Sequence, residues 1–285
     1  MGAMTAPLIF DRRAVRRHRD RAAATVGSVA PLLEAAAVRL VDRLDDTTRR
    51  FGRALDVGGR GVVAPLLRAR GMEVVSCDLS ARMAAMAGGV AVAADEEWLP
   101  FAPGSFDLVV ASLSLHWVND LPGALVQLRQ ALVPDGLFLG SLPALGTLAE
   151  LREAIAAAEM TVRGGISPRV SPFADLRDCA GLLQRAGFAL PVADVEEMTV
   201  LYAEPWALLA DLRAAGEGNA VAERDRQAPP LAMFAGALAK LERREGRVAA
   251  TLRLACMTGW APAAGQPQPA ARGSGKVSLA EALKN

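Results

Sequence analysis

Cysteine, histidine and tyrosine are scarce in this chain, at three, two and one among 285 residues. Cys77, Cys179 and Cys256 are odd in number, widely spaced and set in apolar stretches. That pattern argues against a disulfide framework or a zinc site and for reduced core thiols in a reducing compartment. The two histidines, His18 and His116, lie far apart, so a facial metal triad is not expected and no metal is assigned. Net charge is nearly missing as well. Thirty-two basic residues against thirty-one acidic ones leave a formal +1, too little for the electrostatic footprint of non-specific nucleic-acid binding. No apolar run reaches the about 18 residues that a membrane-spanning helix needs.

The N-terminus has no apolar signal core either. Arg12, Arg13, Arg16, Arg17, Arg19 and Arg21 are interrupted by Asp11 and Asp20, which reads as a solvated helix face and not as a targeting peptide. A cytoplasmic location follows, or a mitochondrial matrix one if the source is eukaryotic.

What the chain does have is apolar mass and rhythm. Its 52% hydrophobic content is enough for one domain with an elaboration, or for two tightly joined lobes. Residues 11–24 and 31–50 show helical spacing, the second with Leu32, Leu33, Val38, Leu40, Val41 and Leu44 on one stripe. Strand-length runs follow at 54–57, 73–77, 90–94, 106–113 and 137–142, alternating with helical stretches that include 121–132. Pro134-Asp135-Gly136 supplies the turn into the last of these runs. The rhythm predicts an α/β, doubly wound, mostly parallel sheet.

Beyond it, 147–160 and 175–186 read as helices, and 192–202 and 251–260 as strands. Between those strands, 205–215 and 230–244 read as helices of a lobe, about 205–247, inserted before the last strand. The lobe is expected to cover the cleft, to set acceptor specificity and to be replaceable without dismantling the sheet. Lys240, Arg243, Arg244 and Arg247, interleaved with Glu242 and Glu245, read as a solvated helix. The expected divisions are an N-terminal helical segment (1–50), a cofactor-binding half (51–143), the remainder of the core (144–261) and a flexible tail (262–285), dense in Pro, Gly, Gln and Ala up to Gly275.

In open parallel sheets ligands bind beyond the carboxyl ends of the strands, where glycine lets backbone approach. Asp56-Val57-Gly58-Gly59-Arg60-Gly61 ends one strand, and the next finishes in Asp78, seventeen residues past Gly61, placed to accept hydrogen bonds from ribose hydroxyls. Asp95, after the third strand, suits an exocyclic adenine amine. Gly59-Arg60-Gly61-Val62-Val63-Ala64 also spells a G-x-G-x-x-A dinucleotide fingerprint. Asp56, the Asp95 element and the turn and strand at 105–110 fit S-adenosylmethionine better than NAD. His116, after the fourth strand, is a candidate general base or substrate-orienting group, with a packed core histidine as the alternative. Trp117 reads as a pocket wall or a core aromatic, and Asn119 and Asp120 as a turn and helix cap.

Ala94-Asp95-Glu96-Glu97, Phe106-Asp107-Leu108-Val109-Val110, the run from Ser112 to Pro122, and Pro134-Asp135-Gly136 resemble the respiratory complex I assembly factors of the methyltransferase superfamily. The likeness continues through Gly164-Gly165, Val170-Ser171-Pro172-Phe173, Gly216-Glu217 with Asn219, Gly259-Trp260 and Arg272-Gly273-Ser274. It implies a class I methyltransferase fold, S-adenosylmethionine as cofactor, and a protein client, a complex I subunit, that is methylated or hydroxylated on arginine. Asp56, Gly58, Gly59 and Gly61 would form the cofactor loop, Asp78 would take the ribose and Asp95 the adenine. The family pattern D-x-G-x-G-x-G is one residue short here, because Gly58 and Gly59 are adjacent. A cofactor-free scaffold that only binds a client is therefore the alternative.

Overall fold

The structure is a computed structural model that describes residues 8–267 together with Ser274, Ser278 and Glu281. In chain order its elements are α1 (Arg12–Ala22), α2 (Ala30–Val41), β1 (Arg53–Val57), α3 (Val63–Ala69), β2 (Glu73–Asp78), α4 (Ala81–Ala85), β3 (Val90–Ala93), β4 (Phe106–Ser112), α5 (Leu121–Ala131) and β5 (Leu132–Pro143). The second part holds α6 (Ala149–Arg163), α7 (Leu176–Arg185), β6 (Ala189–Tyr202), α8 (Pro205–Ala214), α9 (Leu231–Ala239), β7 (Arg243–Arg244) and β8 (Arg247–Trp260).

The strands form a single sheet in the order β3-β2-β1-β4-β5-β8-β6, with β7 paired to β8. The first five are parallel, and β8 runs antiparallel to both β5 and β6. The solid apolar runs explain the parallel part: Leu108, Val109 and Val110 of β4 and Ala54, Leu55 and Val57 of β1 are completely buried, as strands covered on both faces must be. One face carries α5 and α7, whose Leu125, Leu128 and Leu183 meet Leu55, Val109 and Phe138. The other carries α2 and α3 through Leu40, Val41 and Leu67. Helix starts are set by side chains: Asp120 accepts from Gly123 N at 2.9 Å, and Asp11 accepts from Ala14 N at 3.0 Å. After β3 the chain crosses back to pair β4 with β1, so the strand order reverses between β1 and β4. That reversal opens the crevice at their carboxyl ends.

Three expectations need correction. The helix foreseen at 31–50 stops at Val41 and passes through a single-turn 3-10 segment at 42–46. The helix foreseen at 230–244 stops at Ala239, and 243–248 forms the tip of a hairpin in which Arg243 pairs with Val248. Glu245 and Gly246, at φ of 52° and 77°, make the left-handed turn that a helix cannot contain. In the tail, Gln266 donates to Asp135 and to the Ala261 carbonyl, which folds 262–266 back on the sheet; most of 268–285 lies outside the described residues.

Candidate cofactor and substrate site

The crevice floor is the loop after β1. Gly58, Arg60 and Gly61 all take positive φ, at 65°, 49° and 82°, so the short loop makes its turn with a non-glycine residue in a strained conformation. Gly58 has no alternative: a Cβ there would stand 2.6 Å from Ser114 Cβ and 3.1 Å from Arg19 Nη1. A Cβ on Gly59 would overlap the Asp56 carboxylate. Asp56 is buried and accepts from the Ser76 hydroxyl at 3.1 Å. Burial, helped by the charge of Asp78, pushes its carboxyl up to about 7.

Asp78 ends β2 beside this loop. Its Oδ1 accepts from Ser80 N at 2.8 Å and its Oδ2 from Arg19 Nη1 at 2.6 Å. Arg19 and Asp78 are both almost fully buried. The solvated reading of α1 therefore holds for only part of its arginines. Arg13, Arg16, Arg17 and Arg21 are exposed, whereas Arg12 and Arg19, two turns apart on one face, point inward. Arg12 donates to Asp95 at 2.6 Å, to Glu96 and to the Trp117 carbonyl. Asp95 is thus held by α1 and also accepts from Glu97 N.

His116 sits in the short turn after β4, and Glu217 lies in the loop after α8. Glu217 accepts from Trp117 Nε1 at 2.7 Å, faces His116 Nε2 at 2.7 Å, and is paired with Arg60. Burial pushes the Glu217 carboxyl up, yet its contact with His116 and the charge of Arg60 outweigh it and hold the group well below the ordinary range. Burial and the neighbouring Arg19 charge push Arg60 down. Arg60, His116 and Glu217 line a cavity of about 1280 Å³ whose walls also include Leu151, Ile155, Tyr202 and Phe234.

The fold thus brings Asp56, Gly58, Gly59, Gly61 and Asp78 together, ties Asp95 to the same helix that reaches Asp78, and sets His116 across Arg60 from the glycine loop. Sequence reasoning missed Arg19, Arg60 and Glu217 as members of the site. No spacing signals them, because their partners lie 53 to 157 residues away in the chain. On the antiparallel strands β6 and β8, Asp194, Glu196 and Cys256 cluster closely enough to suggest a metal site. Arg43 already donates to both carboxylates at 2.6 to 2.8 Å and meets their charge.

The methyltransferase domain family matches residues 18–191. The mitochondrial arginine-hydroxylase NDUFAF5 of Danio rerio is 38% identical over 97% of this chain and 90% of its own length. The Homo sapiens protein of that name is 40% identical over 96% and 83%. Malonyl-[acyl-carrier protein] O-methyltransferase of Laribacter hongkongensis is 36% identical over 92% and 93%. Among solved structures, the YcgJ protein of Bacillus subtilis superposes with a TM-score of 0.54 at 15% identity, over 80% of this chain and 98% of that one. At that identity the likeness speaks to the fold. The chain belongs to the class I S-adenosylmethionine-dependent methyltransferase superfamily, among the relatives of the arginine-hydroxylase NDUFAF5 proteins, and its cofactor is S-adenosylmethionine.

Proposed function

We propose that this chain is an S-adenosylmethionine-binding enzyme that modifies a protein partner in the assembly of respiratory complex I, by methyl transfer from the cofactor or, with dioxygen and an external two-electron reductant, by arginine hydroxylation. The observation that carries this reading is near full-length identity to relatives named arginine-hydroxylase NDUFAF5. The cavity that opens on Arg60, His116 and Glu217 gives a client side chain a place beside the cofactor loop.

The residues present fit the cofactor. Among the described residues, Asp56 Oδ1 and Ser114 Oγ are buried without a hydrogen-bond partner. Each Asp78 oxygen carries one protein donor and keeps a lone pair for a ribose hydroxyl. When bound, the cofactor supplies an activated methyl group. The chain's own part is alignment, which provides most of the advantage in group transfer. Asp78 and the 56–61 loop fix the cofactor, and Asp95 takes its adenine side. Glu217 meets His116 Nε2 at 2.7 Å and so fixes the orientation of the imidazole at the cavity.

A second reading is methyl transfer to a carboxylate, the kind of acceptor named for the malonyl-carrier relatives. Its support is the charge at the cavity. Among the described residues, Arg17, Arg21, Arg213 and Arg226 line it without an ion pair, whereas of its acids Asp11, Glu217 and Asp225 are paired and only Asp211 is not.

Calorimetric titration with S-adenosylmethionine tests the common ground. The parent is expected to bind, and Asp78→Ala to lose roughly 1 to 3 kcal/mol of affinity, because cofactor hydroxyls are left unpaired in a buried place. Equal binding by both removes Asp78 from the site, and binding by neither supports a cofactor-free client scaffold. Mass spectrometry of a client peptide then separates methyl from hydroxyl addition.

A further inference from the structure

We infer that the outward face of α1 is the docking strip for the protein client, and that it takes an acidic stretch of that client, led between α1 and α4 toward the cavity. The inference rests on the protein-partner reading above and adds the chemistry that recognises the partner. Arg13, Arg16, Arg17 and Arg21 stand at i, i+3, i+4 and i+8 on one stripe of α1, while Val15, Arg19 and Ala22 are buried on the other side. All four arginines are exposed, as is Arg82 on α4. Among the described residues, Arg13, Arg17, Arg21 and Arg82 form no ion pair, and Arg16 reaches only Asp20, at 3.9 Å. The Asp20 carboxylate is already engaged, accepting from the Ser80 hydroxyl at 2.5 Å.

Two features separate this stripe from a face that is merely solvated. Arg13, Arg17 and Arg21 follow one another at i, i+4, where like charges destabilise a helix. A segment kept only for solubility mixes its signs, as 240–247 does with Lys240, Glu242, Arg243 and Glu245. The stripe also borders two hollows. Arg16, Ala81 and Arg82 line a groove of about 710 Å³ between α1 and α4, and Arg17 and Arg21 line both this groove and the larger cavity. Those two arginines are therefore the rim that joins them. Across the cavity, Arg213 and Arg226 continue the positive charge. Burial, with the charges of Arg21, Arg224 and Arg17, pushes His18 down, so the arginine field reaches the cavity wall.

The whole chain carries only a formal +1, so the charge is concentrated at this place and acts at short range, where a guanidinium fork matches a carboxylate. A flat lipid surface or a rigid duplex meets only the rim of a hollow. Single-stranded nucleic acid gains most from aromatic platforms, and the groove is lined by Arg, Asp and Ala alone. An extended polypeptide with carboxylates along it can follow the groove past Arg17 and Arg21 to the cavity.

The test is fluorescence anisotropy on the full chain with a fluorescein-labelled peptide of alternating Glu and Ala and with its Gln counterpart, beside calorimetric titration with S-adenosylhomocysteine. The Glu peptide is expected to bind at low salt and the Gln peptide at least about tenfold more weakly, with the difference shrinking as ionic strength rises to about 0.15 M. Arg16→Gln with Arg82→Gln, in the groove and outside the cavity, should weaken the Glu peptide about fivefold or more, and Arg17→Gln with Arg21→Gln by more still. Arg185→Gln, exposed on α7, should change it by less than about twofold. No variant should alter the affinity for S-adenosylhomocysteine. Equal binding of the Glu and Gln peptides, or a loss in the groove variants no larger than in Arg185→Gln, overturns the inference. So does tighter binding of polyuridylate, or of phosphatidylcholine vesicles carrying phosphatidylserine, that is lost in the same variants; the face is then a nucleic-acid or membrane contact. Modification of a complex I subunit peptide with the same KM by parent and groove variants overturns the docking and leaves the protein-partner reading standing. A parent that binds neither the Glu peptide nor S-adenosylhomocysteine removes both.

Discussion

At the scale of single residues, Asp56 is the most unusual group in the molecule, because its carboxyl is pushed up to about 7 by burial. A folded pKa above the unfolded value means that the folded state binds the extra proton. The associated stability is therefore complete below about pH 4 and is lost as pH rises through about 7. Asp56→Asn keeps an acceptor for Ser76 and removes the charge. Urea melts of the two proteins should coincide only near or below about pH 4, whereas at pH 8 the variant should be more stable by roughly 1 to 3 kcal/mol. A variant that is weaker at pH 8 would show that Asp56 is ionised and well paired. Asp56, the glycines and Asp78 were legible in the sequence because backbone close approach and strand ends leave a local signature. Arg19 and Arg60 were not, since an arginine that turns inward to a distant carboxylate looks, in one dimension, like an arginine that faces water.

At the scale of elements, the parallel strands were legible for the same local reason: burial on both faces makes them unbroken apolar runs. The hairpin at 243–248 was not. Alternating Lys, Arg and Glu satisfies a solvated helix as well as an exposed strand tip, and only the left-handed pair Glu245-Gly246 decides between them. The loop after α8 shows a stronger dependence on distant partners. Its Glu217 is the common acceptor of His116, Trp117 and Arg60, and its carboxyl stays ionised against the upward push of burial. With a folded pKa depressed, its contribution is present above the usual carboxylate range and disappears as pH falls below it. Glu217→Gln leaves Arg60 without its counter-charge and should cost about 3 kcal/mol at pH 7. In thermal melts of parent and variant the deficit should largely persist at about pH 4 and shrink only as pH falls further, toward the depressed pKa of the carboxyl. A deficit that does not change with pH would point to lost packing and not to lost charge.

At the scale of the whole molecule, sequence spacing suggested a lobe at 205–247 that could be exchanged without touching the cofactor site, and the contacts argue otherwise. The lobe buries Leu208, Met233, Ala237 and Leu238 against Leu151, Ile155 and Tyr202, a core that would be exposed if it were removed. The segment after α8 is more deeply engaged. Phe10 bridges to Val221, Ala220 and Val221 pack with Val15 and Trp117, and Gly216 lies against Arg19 and Ala22. The lobe therefore clamps α1, and α1 carries the side chains that reach Asp78 and Asp95. Deleting 205–247 and bridging the gap with a flexible linker removes Glu217 and unseats α1 together. The deletion protein is expected to lose cooperative unfolding, because the exposed apolar face cannot be offset. Any folded remnant is expected to bind S-adenosylmethionine more than about tenfold more weakly than the full chain, or about 1.4 kcal/mol. Differential scanning calorimetry with a cofactor titration checks both. A folded deletion protein with full cofactor affinity would mean that the sheet alone builds the site. The milder Val221→Ala tests the clamp without removing the lobe. It should loosen α1, which native-state hydrogen exchange would register as faster exchange at 12–22 while β1 and β4 keep their protection.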